Sequence, residues 1–173
     1  MLNFFKRLKA YACPQKKFNK TGHFKRLELL ALEERVVPAT FTVVNNLDSG
    51  TGSLRQAIID ANASSNNDII DFSFGSGSSP FTITLASALP NIAATSTAGT
   101  LTINGLGANN LIIDANQGNF SIFTINSGGD LSISGVKVTG ANTSGAGGAF
   151  NNSGTLAVSS SAISANTANN GGG

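Results

Sequence analysis

The side chains best suited to acid–base chemistry in this sequence are its aspartates, and Asp114 and Asp130 are the only acids after residue 71. Glycoside hydrolysis needs two carboxylates at a defined separation, one as proton donor and one as base or nucleophile. Neither aspartate has an acidic, histidine or arginine neighbour in sequence. Both adjoin turn-forming residues, where an aspartate is more often a structural Asx-type hydrogen-bond acceptor. The sequence therefore predicts no catalytic residue.

Basic and metal-binding side chains are equally sparse. Lys137 is the sole basic residue after Arg55, and its place between two valines predicts an outward-pointing, solvated side chain. Polysaccharide lyase chemistry would require several carboxylates for calcium together with a cationic base nearby. Cys13 and His23 are the only residues of their types, which excludes an internal disulfide and a His-based zinc site.

Three glycine-rich segments resemble ligand-binding loops only superficially. Gly105–Gly107 and Gly145–Gly148 are not followed by Lys-Ser/Thr and do not lie in a βαβ unit, as phosphate loops do. Gly128–Asp130 is a single partial match to the repeated calcium-binding pattern of secreted β-rolls. The first two segments are predicted to be corners of the chain, and no metal or cofactor site is predicted.

The composition favours a regular, weakly charged structure over an ordinary enzyme domain. Hydrophobic residues make up 40% of the 173 residues, and charged residues only 12%, against about 25% in average soluble domains. Residues 1–40 carry nine basic and three acidic side chains, whereas residues 41–173 carry two basic and six acidic ones. A nucleic-acid partner is not predicted, because the chain after residue 40 has no cationic stripe to neutralise phosphates.

Residues 1–40 are predicted to be a basic, largely unstructured or helical tail with a targeting, leader-like role. The tail lacks the uncharged apolar run of about 7–15 residues found in a standard signal peptide, and no stretch of the sequence reaches the roughly 18–20 apolar residues that span a bilayer. Residues 24–38 predict a short amphipathic helix with Leu27, Leu30 and Ala31 on one face. This segment resembles the short leader of many large bacterial secreted and surface proteins. The alternative is a solvated, charged helix ahead of the domain.

Residues 41–173 are predicted to be the structured domain, which opens with a strand at Phe41–Val44. Ser53 fits the N-cap of a helix in a capping box, in which its hydroxyl accepts a bond from the Gln56 N–H while the Gln56 side chain reaches back. The helix is expected to end near Asn62. Its predicted apolar face contains Leu54, Ala57, Ile58 and Ala61.

Internal repeats dominate the chain after residue 98. An offset of 25 residues places Leu131–Gly140 over Leu156–Ala165. An offset of 30 places Leu101–Gly105 over Leu131–Gly135, with the extra residues assigned to a loop such as Gly105–Asn110. The predicted columns of equivalent residues are Leu101/Leu131/Leu156, Ile103/Ile133/Val158, Val138/Ile163, Ile125/Phe150 and Asn126/Asn151.

This pattern predicts an all-β fold, a right-handed single-stranded parallel β-helix (solenoid) with a short N-terminal capping helix. Each repeat forms one coil, and equivalent side chains of successive coils stack about 4.8 Å apart. Gly and Asn suit the corners because both tolerate left-handed backbone, and stacked Asn side chains can form ladders. The alternative is an antiparallel sandwich, which shares the period-two strands but predicts no columns at a fixed offset.

The two ends of such a solenoid expose unpaired strand edges that need covers. The helix after Ser53 is predicted to close the first coil. At the other end, Gly171–Gly173 provide no polar or helical cap. We therefore expect residues 41–173 to be the N-terminal cap and first coils of a β-helix truncated at its C-terminus, and a possible site of self-association at the open last coil.

The order and spacing of several motifs resemble a bacterial family of right-handed parallel β-helix surface proteins, which are pectin-lyase-like. The shared features are Asp48–Asn62 with its Ser-Leu-Arg-Gln-Ala-Ile helix, Asp68–Phe72, Ile83–Leu85, Leu101–Gly105 and Gly147–Leu156. Gly52 is a departure, since many relatives have Cys before the Ser. Gly147–Phe150 and Phe123–Asn126 have a weaker similarity to repeats of polymorphic outer-membrane proteins.

The resemblance implies an exported protein, extracellular or at the cell surface, with a scaffold or adhesin-like role. The expected function is a non-catalytic stalk or adhesin-like module, and its expected partner is a cell-surface carbohydrate or protein. The alternative is the N-terminal part of a carbohydrate-active lyase or hydrolase whose active coils are missing, because the same architecture hosts such enzymes.

Overall fold

The computed structural model describes residues 38–64, 66–75, 77, 79–92 and 99–171, which contain one helix and thirteen strands. The elements in chain order are β1 (Thr40–Val43), α1 (Leu54–Ala63), β2 (Asp68–Phe72), β3 (Phe81–Thr84), β4 (Leu101–Asn104), β5 (Leu111–Asp114), β6 (Phe123–Ile125), β7 (Asp130–Ser134), β8 (Lys137–Thr139), β9 (Asn142–Ala146), β10 (Phe150–Asn152), β11 (Thr155–Ser159), β12 (Ala162–Ser164) and β13 (Thr167–Asn170). Cys13, His23 and the predicted helix at 24–38, except for Pro38, lie outside the described residues.

The strands stack into parallel sheets along a β-solenoid of about five turns. A five-stranded sheet has the order β1-β2-β4-β7-β11, and a four-stranded sheet has the order β12-β8-β5-β3. Two smaller sheets pair β10 with β6 and β13 with β9. Every strand pairing in the described ranges is parallel. The antiparallel sandwich is therefore excluded.

Three of the predicted apolar columns are confirmed by the strand registers. The observed columns are Leu101/Leu131/Leu156, Ile103/Ile133/Val158 and Val138/Ile163. The isoleucine column extends upstream through Ile70 to Phe41. Ile70 and Ile103 are completely buried, because coils lie on both sides of them. Burial of such side chains contributes about 25 cal/mol per Å² of apolar surface, so these columns are the core of the fold.

The longer turn of the solenoid has its extra residues where the sequence places them. β4 pairs with β7 at an offset of 30 residues, for example Leu101 with Leu131. β5 pairs with β8 at an offset of 25, for example Ile113 with Val138. The difference of five residues arises between β4 and β5, at Gly105–Asn110. This corner absorbs the insertion without changing the register of either sheet.

One predicted register is wrong by two residues. The observed pairs are Phe123–Phe150, Thr124–Asn151 and Ile125–Asn152, whereas the 25-residue offset predicts Ile125–Phe150 and Asn126–Asn151. A shift of two residues leaves the same side chains facing the core, since the side-chain period of a strand is two. It also stacks the rings of Phe123 and Phe150, whose centroids lie 5.4 Å apart at an interplanar angle of 14°. Contact between the two rings therefore accompanies the local offset of 27.

Helix α1 packs against β1 and β2 on the N-terminal side of the solenoid. Its buried residues are the predicted ones, Leu54, Ala57, Ile58 and Ala61. Ser53 is the N-cap, and its Oγ accepts a hydrogen bond of 3.2 Å from Gln56 N. The other half of the predicted capping box is wrong. Gln56 Nε2 donates to Asp60 Oδ1 at 2.8 Å, and the Ser53 N–H is already satisfied by Gly50 O at 3.1 Å.

Two corners of the solenoid keep a left-handed backbone even where glycine is replaced. Gly135 and Gly140 have φ values of 66° and 79°. Their equivalents one coil later, at an offset of 25, are Ser160 and Ala165, with φ values of 49° and 54°. The position in the coil therefore imposes the conformation, although a residue with a Cβ atom loses about 1–2 kcal/mol by adopting it.

Asparagine side chains join neighbouring coils mainly by bonding to backbone. The backbone donors and Asn oxygens are Thr100 N to Asn67 Oδ1 at 2.9 Å, Ser144 N to Asn119 Oδ1 at 2.9 Å and Ala141 N to Asn166 Oδ1 at 3.1 Å. The predicted Asn–Asn stacking is represented in the described coils by Asn91 Nδ2 donating to Asn126 Oδ1 at 3.4 Å. The amides therefore reinforce the parallel backbone pairing more than they form a ladder of their own.

Replacing Ser160 or Ala165 with glycine is expected to stabilise the fold. Each change removes a left-handed Cβ, and the greater unfolded-state entropy of glycine offsets part of the gain, so the free energy of unfolding rises by up to about 1 kcal/mol. Ala162→Gly, in the neighbouring strand β12, is the matched control and is expected to lower it by about 0.5–1 kcal/mol. Urea unfolding of the three variants measures both effects. Equal destabilisation by all three would contradict the corner interpretation.

Candidate functional site

Asp114 and Asp130, the two acids within the repeats, lie on different sheets of the solenoid. Each accepts a hydrogen bond from another residue of the wall. Asp114 ends β5, and its Oδ1 accepts a 2.8 Å hydrogen bond from Asn116 N, which is the predicted Asx-type role. Asp130 begins β7, and its Oδ2 accepts a 3.0 Å bond from Thr100 Oγ1 of the preceding coil. Asp130 therefore links two coils, and the Asx-type bond that the sequence predicts for it is not the bond observed.

Two further aspartates make contacts of the same kind. Asp71 Oδ1 accepts a 3.0 Å bond from Asn104 Nδ2, the residue that pairs with it on β4. Asp68 is only 2% exposed, and its Oδ1 accepts bonds from Ala39 N at 3.1 Å and from Ser64 Oγ at 3.3 Å. Asp68 stands in register with Leu101, so it occupies in β2 the position that Leu101 occupies in β4. Its carboxylate links Ser64, the C-cap of α1, to Ala39, the residue before β1.

Lys137 lies on the outer surface of β8. Lys137 alternates with the fully buried Val136 and Val138, and its own side chain is half-buried on the outer surface.

In the described part of the chain, no three His, Cys, Asp or Glu side chains come together as a metal site would require. No described helix is both long enough and apolar enough to cross a membrane.

Arg55, for which the sequence predicted no role of its own, is the centre of a polar network beside α1. Its Nη2 donates to Asp48 Oδ1 at 2.6 Å and to Ser87 O at 2.9 Å. Its Nε donates to Asp48 O at 3.0 Å, and its Nη1 donates to Ala88 O. Asp48 Oδ1 also accepts from Ala86 N at 3.1 Å. The ion pair therefore fastens the helix and the loop before it to the segment after β3.

The position of Arg55 in the Ser-Leu-Arg motif is the signal that could have revealed this network. A guanidinium group can bond several acceptors in one plane, and the side chains of Arg55 and Asp48 are only 15% and 27% exposed. The motif therefore combines three tasks in consecutive residues: Ser53 caps the helix, Leu54 enters the core, and Arg55 fastens the cap to the second coil.

A small cavity lies between the outer edge of β1 and the first turns of α1. Its volume is about 210 Å³, below the roughly 300 Å³ at which small-molecule pockets begin. The lining residues are Thr40, Phe41, Thr42, Gly52, Ser53, Gln56, Ala57 and Asp60. Within this lining, the carboxylate of Asp60 accepts a 2.8 Å hydrogen bond from Gln56 Nε2.

The outer face of the five-stranded sheet is the broadest regular surface of the solenoid. Its two outward columns are Thr40/Ile69/Thr102/Ser132/Ala157 and Thr42/Asp71/Asn104/Ser134/Ser159. Most of these side chains are small and carry hydroxyl or amide groups at a spacing of about 4.8 Å between coils. The face therefore carries a regular array of hydrogen-bonding groups.

The second candidate surface is the edge of the last described coil. Val158 is 42% exposed, whereas Ile133, which precedes it in the same column, is 1% exposed. Leu156 and Ile163 are also only partly buried. In the described ranges, no strand pairs with the far edge of β11, β12 or β13. Within the described coils, the burial of this column therefore decreases from Ile133 to Val158.

A comparison of the chain with protein-family models, with curated proteins and with solved structures found no match. The two surfaces above are therefore interpreted from their own geometry.

The Arg55 network leads to a stability prediction. Arg55→Met removes the charged donor from the Asp48 carboxylate and from three backbone carbonyls while roughly keeping the length of the side chain. It is expected to lower the free energy of unfolding by about 2 kcal/mol. Lys137→Met removes the same charge from the outer wall and is expected to change it by less than about 0.5 kcal/mol. Chemical denaturation measures both values, and similar losses in the two variants would contradict the fastening role.

Proposed function

We propose that this protein is a non-catalytic, exported β-helix that serves as a scaffold, stalk or adhesin-like module at the cell surface. The observation that carries the proposal is the use of the carboxylates on the coils. Asp71, Asp114 and Asp130 each accept a hydrogen bond from a neighbouring residue or coil. Side chains engaged in this way build a rigid wall, and a long rigid wall is the property that a stalk or adhesin requires.

Export and surface location are supported by the resemblance of the Ser53–Ile58 helix and the following coils to pectin-lyase-like β-helix surface proteins. The leader-like segment at residues 27–38 supports the same location. The low share of charged residues, 12%, fits a wall of Ser, Thr and Asn hydroxyl and amide groups. Membership of that right-handed family is part of the proposal.

The proposed binding surface is the outer face of the five-stranded sheet, and the proposed partner is a cell-surface carbohydrate or protein. The columns that contain Thr102 and Asn104 present hydroxyl and amide groups at a regular spacing. An extended polysaccharide offers hydroxyl groups along its length, which can pair with such an array. Self-association through the last described coil is a second proposed contact.

The location is tested by treating intact cells of the source organism with protease and following the protein by mass spectrometry of the released peptides. Peptides from residues 99–171 are expected in the released fraction or in the medium. A cytosolic marker protein, absent from that fraction, controls for lysis. Recovery of the protein only after cell disruption, together with the marker, would contradict the export proposal.

The binding face is tested with insoluble polysaccharides as the probes. The double variant Thr102→Lys and Ser132→Lys places bulky charges on the five-stranded sheet and is expected to reduce binding at least tenfold. Thr82→Lys places one such charge on the four-stranded sheet and is expected to leave binding unchanged. Equal losses in both, or cleavage of a polysaccharide by the unaltered protein, would contradict the scaffold proposal; cleavage would favour the carbohydrate-active enzyme.

A further inference from the structure

The outer edge of strand β1 carries backbone groups that no described residue uses. Ala39 O and Val43 O accept bonds of 2.8 Å from N–H groups of β2 and of the residue that follows β2. Backbone groups alternate in direction along a strand, so the N–H and C=O groups of Thr40 and Thr42 point away from β2. Among the described residues, none pairs with them on that side. This edge of β1 therefore presents a short row of unpaired donors and acceptors.

Helix α1 runs antiparallel to β1 and forms the second wall of a groove. At one end, Val44 N donates to Gly52 O at 2.9 Å, just before the helix begins. At the other end, the carboxylate of Asp68 links Ser64, the C-cap of α1, to Ala39. The cavity of about 210 Å³ lies between these two attachments. The strand and the helix are therefore fastened at both ends, and the groove between them is a fixed part of the fold.

The lining of this groove combines apolar side chains with one charged group. Phe41 and Ala57 supply the apolar lining, and both belong to or pack against the hydrophobic core. Asp60 is the one charged residue among the lining residues, and it is half-buried. Its Oδ1 accepts from Gln56 Nε2 at 2.8 Å, and no described residue donates to its Oδ2 or pairs with its charge. The groove therefore favours a partner that brings a positively charged donor.

The edge of the four-stranded sheet on the same side of the solenoid is less suited to pairing. Strand β3 forms that edge. There Asn46 Nδ2 already donates to Thr82 O at 3.0 Å, so the loop before α1 uses part of the edge. The helix itself packs on β1 and β2. Of the two edges, the one beside β1 thus combines free backbone groups with a second wall and a charge.

We propose that this groove binds an extended peptide segment of a partner protein, which adds a strand to β1 and places an ammonium group against Asp60. Peptides that pair with a sheet edge gain affinity from main-chain hydrogen bonds and specificity from sites for alternate side chains. Thr40 and Thr42 supply the main-chain bonds over about 7 Å of strand. Asp60 selects the charge. The ammonium group belongs to a lysine side chain or to the N-terminus of the peptide, and the experiment distinguishes the two.

This inference does not rest on the proposed location or on the carbohydrate-binding face, so its failure would leave those proposals standing. The full chain is titrated with the probe acetyl-Thr-Val-Lys-Val-Thr-amide and followed by NMR. The largest shifts are expected at the amide groups of Thr40 and Thr42. A second peptide with glutamate in place of lysine is expected to bind at least about tenfold more weakly. A third has alanine in place of lysine and a free N-terminal amine, and the tighter of the first and third identifies the source of the ammonium group.

Three variants test the two parts of the site separately. Asp60→Asn keeps an acceptor for Gln56 but removes the charge, and it is expected to weaken binding of the tighter ammonium peptide at least about tenfold. Thr42→Pro removes an N–H that points away from β2, so it leaves the sheet paired and is expected to abolish binding. Thr84→Pro is the matched control on the edge of β3, since its N–H also points away from the neighbouring strand, and it is expected to bind as the unaltered chain does.

Four results would overturn the proposal. The first is the absence of shifts at the β1 amides with all three peptides. The second is unchanged binding of both ammonium peptides by Asp60→Asn. The third is an equal loss of binding in Thr42→Pro and Thr84→Pro. The fourth is a sedimentation-equilibrium mass of twice 17.6 kDa that Thr42→Pro reduces to the monomer, since the occupant of the groove would then be a second copy of the chain. Circular dichroism confirms the fold of each variant, and Asp60→Asn carries the test if a proline variant unfolds.

Discussion

The structure depends on the stacking of equivalent residues in register from one coil to the next. Ile70, Ile103 and Ile133 occupy one column, and each is at most 1% exposed because the coils above and below cover it. A parallel sheet supplies this cover only if every coil brings the same kind of side chain to the same place. Apolar burial, backbone pairing and the repeat in the sequence therefore all depend on keeping the coils in register.

The same constraint explains how the molecule tolerates irregularity. Gly105–Asn110 extends one corner by five residues, and the walls on either side keep their register. The Phe123–Phe150 pair departs from the 25-residue offset, and the inward and outward faces are nevertheless preserved. Corners can change in length because they are outside the columns, whereas a change of one residue inside a strand would turn its apolar side chains to solvent.

A coil at the end of the stack has a neighbouring coil on one side only, so its core must be covered in another way. At the N-terminal side, α1 covers the core, and the ion pair of Arg55 with Asp48 holds it there through bonds to the backbone at Ser87 and Ala88. At the last described coil, Val158 is 42% exposed. The N-terminal side is thus covered by a helix that does not belong to the repeats.

The sequence alone determined the parallel β-solenoid, the helix with its cap at Ser53, the apolar columns and the site of the inserted loop, because each depends on local patterns or on a repeat at constant spacing. It also predicted the Asx-type hydrogen bond of Asp114 from the turn residues beside it. The tertiary structure decided the two-residue shift at Phe150, the inter-coil bond of Asp130 and the network of Arg55. These depend on which groups from distant parts of the chain come within bonding distance. The spacing of residues within one repeat has no information about those distances, because the corners between strands vary in length.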